Sequence, residues 1–159
     1  MNDVNHKKYM KAAALEAEKG MKTNDGGPFG AVIVKDGKII ASAHNEVIKT
    51  NDPTAHAEIT AIRRASEILG RFDLSDCTIY SSCEPCPMCF AAIHWAKFTR
   101  LYYGCSRHDA ADIGFDDNFI YEVIRGNTDK EQVKTGQIER DICLRSFQEW
   151  KAKEDKVQY

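Results

Sequence analysis

Three of the six cysteines crowd into the stretch Cys83-Glu84-Pro85-Cys86-Pro87-Met88-Cys89, and well upstream of it stands His56-Ala57-Glu58. Whatever fold the chain adopts must bring these two stretches together if they serve one ion. Two cysteines three apart on a helix share a face, so Cys86 and Cys89 can turn their thiolates on a single cation. The run from Pro85 reads as a helix start with proline near its first position, where the macrodipole favours negative charge and lowers thiol pKa values. Borderline-soft Zn²⁺ suits two sulfurs and the imidazole of His56, with a fourth position open to water, the pattern of a catalytic rather than a structural site. Glu58, two residues beyond His56, is rotated by ~200° in an ideal helix and so is not a second ligand. From the first turn it can swing over the helix end towards the water, which makes it a proton carrier.

Other readings compete for these residues. Cys83, Cys86 and Cys89 also spell C-x-x-C-x-x-C, part of an iron–sulfur motif, but that motif wants a fourth cysteine soon afterwards and Phe90 to Thr99 holds none. A closed, purely structural zinc site of His56, Cys83, Cys86 and Cys89 is compatible with the spacing. His56 alone would read as a hydrogen-bonded core histidine; Glu58 beside it and the cysteine pair downstream argue for a ligand. His6, His44, His94 and His108 have no partner at ligand spacing and read as surface or hydrogen-bonded residues.

The 159 residues suit one domain spanning 1–159, long enough to bury a core without disulfides. The uneven cysteine spacing favours a reducing cytoplasm over a secreted disulfide framework. The polar start MNDVNHKKYM has no secretory apolar region, and no apolar run approaches a membrane span. Along the chain we expect a helix from His6 to Lys19 stopped by Gly20 and a turn at Gly26 to Gly30. A hairpin follows around Asp36-Gly37, then a helix from Asp52-Pro53-Thr54 to Leu69. Cys77 to Ser81 and Arg100 to Gly104 read as strands flanking a helix from Pro85 to Ala96, and Asp117 to Arg125 as a short helix. Gly126 to Gly136 reads as a loop, Gln137 to Ile142 as a final strand and Phe147 to Lys156 as a charged helix. This order implies an α/β fold with helices on both faces of a sheet.

His-x-Glu followed by Pro-Cys-x-x-Cys is the signature of zinc-dependent nucleobase deaminases, with the glutamate as acid and base. The runs NDPTAHAEITAIRRA and SSCEPCPMCFAAIHWA resemble the purine branch of the cytidine-deaminase superfamily. GGPFGAVIVKDG, the Asn45 position, DAADIGFDDNFIY and the terminal tyrosine are similar to small bacterial guanine deaminases within it. The resemblance implies a three-layer α/β/α fold with a mixed five-stranded sheet, and conversion of guanine to xanthine and ammonia. It implies zinc on His56, Cys86 and Cys89, with Glu58 moving a proton from water to the leaving amine. It places Asn45 on the purine edge, Phe29 and Trp95 on the two faces of the ring, and Ala57, Asp117 and Tyr159 in the rest of the pocket. It also implies a homodimer in which residues 144–159, a helix and tail, cross to the partner's site.

Several of these residues have plainer readings. Phe29 and Trp95 suit a core, Asp116 and Asp117 suit a helix N-cap pair, Tyr159 suits a frayed end, and Glu84 is either a helix-start charge or a pocket carboxylate. The rival functions are a tRNA adenosine deaminase, a guanosine or cytosine deaminase with the same chemistry, and a zinc-stabilised binding module without catalysis. A tRNA substrate calls for phosphate neutralisation by a basic surface. The formal net charge of −2, the isoelectric point near 6.2 and the acidic Asp109, Asp112, Asp116 and Asp117 argue against it and for a small purine partner.

Overall fold

The strand that organises the molecule is β1 (Gly30–Lys35), whose GAVIVK run is buried from Gly30 to Val34. An apolar run covered on both faces belongs in the middle of a sheet. Val32 and Val34 pack with Tyr9 and Ala13 of α1 (His6–Lys22), while Ala31 and Ile33 face the other way. There they join Ala57, Ala61 and Ala65 of α3 (Ala57–Leu69) and Ile93 of α4 (Pro87–Trp95). These two clusters, one on each side of the sheet, make the α/β/α layering that the element order predicts. This is seen in a computed structural model that describes residues 5–128 and 133–159.

The hairpin forms as expected. Asp36 and Gly37 both take positive φ, 47° and 75°, the requirement of a two-residue type I′ turn, and β1 pairs antiparallel with β2 (Lys38–His44). A short helix α2 (Val47–Thr50) follows β2. On its other side β1 pairs antiparallel with β3 (Thr78–Cys83), and β3 pairs parallel with β4 (Arg100–Cys105). The parallel pair is joined through α4, as a parallel connection requires.

Two expectations need correction. The sheet is mixed, but among the described residues it has four strands, in the order β2-β1-β3-β4, and not five. The segment expected as a fifth strand, Gln137 to Ile142, has no strand pairing: it leads into the helix α7 (Arg140–Ala152). Between Ile138 and Ile142 stand Glu139, Arg140 and Asp141, so the alternation of apolar and polar residues that marks a half-buried strand is missing. The terminal helix thus begins earlier than Phe147. Within the expected loop Gly126 to Gly136, residues 129–132 lie outside the described residues.

Gly20 is not a stop signal either. The helix α1 runs on to Lys22, and Gly20 is buried because the ring of His44 lies against it. Between β4 and α7 lie α5 (Arg107–Asp112) and α6 (Asn118–Arg125). Neither α6 nor α7 buries a single side chain, and their apolar residues, Ile124, Phe147 and Trp150 among them, are exposed. Among the described residues no helix is long and apolar enough to cross a membrane.

Candidate active site

Two helix beginnings meet at the ends of β2 and β3, and the two sequence stretches meet with them. His56 is the N-cap residue of α3, with extended φ and ψ of −67° and 158°. Cys86 is the N-cap of α4, followed by Pro87 in the first turn, where a missing N–H costs nothing. The helix start closes on itself as Cys86 Sγ accepts from the Cys89 backbone N–H at 3.5 Å. His56 Nδ1 stands 3.4 Å from Cys86 Sγ and 3.5 Å from Cys89 Sγ.

These separations test the set against zinc. With Zn–S near 2.3 Å and Zn–N near 2.0–2.1 Å, a tetrahedral ion spaces its N and S ligands by about 3.6 Å. The observed edges fit. The hydrogen bond shared with Cys89, and then that with His56, pulls the Cys86 thiol well below its usual range, while Cys89 is pushed up. Both thiols would bind a divalent cation as thiolates, so loading the site would release their protons.

Cys83 is not a fourth ligand. Its thiol donates to the Ser106 carbonyl at 3.6 Å, burial pushes it up to about 12, and it is outside the one cysteine-containing ligand cluster among the described residues. The set is therefore three ligands, neither the closed structural site nor an iron–sulfur group. Ser81 is a residue that sequence reasoning missed. From β3 its hydroxyl donates to Glu58 Oε1 at 2.9 Å and fixes that carboxylate at the head of α3. Burial raises the Glu58 carboxyl above the usual carboxylate range, against the pull of Ser81.

His56, Glu58 and Cys86 line a cavity of about 710 Å³, within the usual size of small-molecule sites. Asn45 lines it at the end of β2, buried, its backbone N–H bonded to the Phe29 carbonyl at 3.0 Å. The Asn45 Oδ1 accepts from the Val47 N–H at 3.1 Å, which orients the amide. Phe29 also lines the cavity, and its ring meets Phe115 edge-on at 5.0 Å. Phe115 was not singled out beforehand, although it begins the FDDNFIY run.

The structure separates the two aspartates. Both line the cavity, but Asp116 Oδ1 accepts from the Asn118 N–H at 2.9 Å and closes the start of α6, whereas Asp117 makes no capping bond. Burial, then the nearby Cys86 charge, raises the Asp117 carboxyl. Glu84 lines the cavity, and its Oε2 accepts from the Arg107 N–H at 3.0 Å, closing the start of α5 and not of the helix that follows it in sequence.

Three expected pocket residues are not in the lining. The methyl of Ala57 is wholly buried in the core, so only its backbone can serve the site. Trp95 ends α4, roughly 13 Å along the axis from Cys86 at 1.5 Å per residue, and is 67% exposed. It does not face Phe29 across the cavity. Tyr159 is 69% exposed and lies with its ring centre 6.2 Å from Trp95 and 6.2 Å from Phe72 of its own chain.

Together the layered sheet, the cluster of one histidine and two cysteines, and the buried glutamate beside it have the form of a zinc-dependent deaminase. The chain belongs to the family described as the cytidine and deoxycytidylate deaminase zinc-binding region, whose model it matches over residues 3–105. Guanine deaminase of Bacillus subtilis (strain 168) is 47% identical over 156 residues, covering 98% of this chain and 100% of that protein. The X-ray structure of a Bacillus subtilis guanine deaminase superposes with a TM-score of 0.92 at 47% identity, over 98% of this chain and 99% of that one. A tRNA-specific adenosine deaminase of Agrobacterium fabrum (strain C58) is also 47% identical, but over 96 residues, 60% of this chain and 62% of that protein.

Proposed function

We propose that this protein hydrolyses guanine to xanthine and ammonia. The observation that carries the choice of substrate is the extent of the likeness. Similarity to the Bacillus guanine deaminase runs through nearly the whole chain, whereas similarity to the tRNA deaminase covers 60% of it. The cavity also carries the carboxylates Glu84, Asp116 and Asp117, a poor setting for a phosphate backbone.

His56, Cys86 and Cys89 would hold zinc, which when bound lowers the pKa of its water towards ~7. Glu58, fixed by Ser81, takes the water's proton as a new C–O bond forms at the ring carbon that bears the exocyclic amine. The same carboxyl then gives that proton to the amine, whose C–N bond breaks to release ammonia. Asn45 donates from its amide to the purine carbonyl, a pairing that adenine cannot make and whose absence can cost orders of magnitude in specificity. Phe29 stacks on the ring, Asp117 accepts from the amine, and Ala57 contributes its helix-start N–H.

The reading extends to quaternary structure. Residues 1–159 form one deaminase domain that works as a homodimer, with residues 144–159 exchanged between copies so that Trp95 and Tyr159 serve a partner's cavity. The exposed apolar faces of α6 and α7 support this. The six free thiols suit a reducing, cytoplasmic setting.

Ammonia release from guanine, guanosine, adenine, cytosine and an anticodon stem-loop, each mixed with purified protein, tests the substrate. Guanine should be turned over fastest. Release from the stem-loop and none from guanine would overturn the reading.

A further inference from the structure

His44 is buried in a polar setting that the chemistry above does not use. Its Nδ1 lies 2.9 Å from Glu16 Oε2 of α1, and its Nε2 lies 2.7 Å from Asp25 Oδ2 in the loop before β1. A neutral imidazole has one N–H and one lone pair, so it satisfies one of these carboxylates and repels the other. A ring protonated on both nitrogens satisfies both. Asp25 is held below the usual carboxylate range, first by this bond with His44 and also by Lys49. The other charged groups facing the ring are Glu46 at 4.0 Å, itself bonded to Arg64 of α3 at 2.9 Å and near Lys49 of α2 at 3.7 Å, and Lys19, 4.0 Å from Glu16.

The packing around His44 is as specific as its bonding. A Cβ on Gly20 would lie 2.5 Å from His44 Cδ2, so the ring is seated where α1 has no side chain. The next residue in the chain is Asn45. A Cβ on Gly26 would lie 2.0 Å from Asn45 Oδ1, so the Gly26–Gly27 cavity wall is pressed directly onto the Asn45 amide. Asp25, which holds the far nitrogen of His44, immediately precedes that wall, and its carbonyl accepts from the Ile48 and Lys49 N–H groups at 3.0 Å.

We propose that His44 is a positioning residue. Bonded on both sides, it staples α1 and the Gly26–Gly27 wall to the end of β2, and so sets the angle at which Asn45 meets the base. It touches neither substrate nor zinc. The link to base recognition rests on the proposed role of Asn45; the doubly bonded ring does not.

Two measurements test the two halves separately. Long-range ¹H–¹⁵N NMR of the zinc-loaded protein should show a hydrogen bond at each ring nitrogen of His44, whatever the protein's substrate. A ring nitrogen without one overturns the proposal. His44→Gln, which can donate on one side only, should raise KM for guanine about tenfold with kcat changed less than about twofold and zinc content unchanged. In an Asn45→Ala background His44→Gln should add nothing further to KM, because both act through one amide. Independent, multiplying effects would overturn it, as would an unchanged KM with a lowered melting temperature alone. Should His44→Gln fold poorly, Glu16→Gln removes one ionised acceptor with the ring in place and should raise KM in the same direction; an unchanged KM there also overturns it. Absence of guanine turnover by the unaltered protein would refute the functional reading, and the NMR result would stand.

Discussion

Glu58 and His56 are near neighbours in sequence at the head of one helix, yet their surroundings assign them opposite tasks. His56 sits among sulfurs, placed to hold an ion; Glu58 is enclosed and held by a hydroxyl from β3. Glu58→Gln keeps the shape and the Ser81 contact but removes the ability to carry a proton. It should lower turnover of guanine by at least about 10²–10⁴-fold with full zinc content by metal analysis. If the protein were only a zinc-stabilised binding module, the same change would be silent. Cys83→Ser should leave zinc stoichiometry unaltered, since that thiol points at Ser106. Metal loss in this variant would restore the closed four-ligand site. The two aspartates make a paired control. Asp117→Asn should lower kcat/KM for guanine roughly tenfold or more, the usual worth of a hydrogen bond to a charged group, while Asp116→Asn should lower it less, because the Asp116 carboxylate already accepts from the Asn118 N–H.

Gly20 shows how elements are fitted together and where sequence signals mislead. Alanine in mid-helix is ordinarily favoured over glycine by about 1 kcal/mol. At Gly20 the new methyl would press into the His44 ring, and overpacking of that kind costs about 1–3 kcal/mol. Gly20→Ala should therefore lower the melting temperature, the reverse of what helix propensity predicts. The same residue explains what could be read beforehand. Patterns that depend on local chemistry were legible: the Asp36-Gly37 turn, the buried β1 run, the Pro87 helix start, and the convergence of His56, Cys86 and Cys89. What depends on long-range fit was not. Gly20 stands where a stop signal would, and only the approach of β2 shows it to be a packing contact. Ser81 looks like any strand serine until α3 is laid across it. The segment from Gln137 was misjudged because it has no buried face in its own chain to enforce a period.

At the level of the whole molecule, the layered core ends near α5, and among the described residues the C-terminal part contributes no buried side chain. An amphipathic helix with its apolar side chains in water is stabilised only weakly by itself, so α7, and the exposed face of α6, should gain order on association. If two copies complete each other's sites, specific activity should fall several-fold as the protein is diluted below its dimer dissociation constant. Sedimentation run over the same concentrations would register the change.

The cavity beside Glu58 is broad, about 710 Å³, while a bare heterocycle is small and flat. In its proposed role Asn45 meets one edge of the ring, and the volume leaves room for a larger purine beside it. The sieve against oversized purines would then reside in whatever caps the bowl. A chain lacking its last residues should consequently discriminate poorly between guanine and 9-alkylguanines, even where it still turns over both.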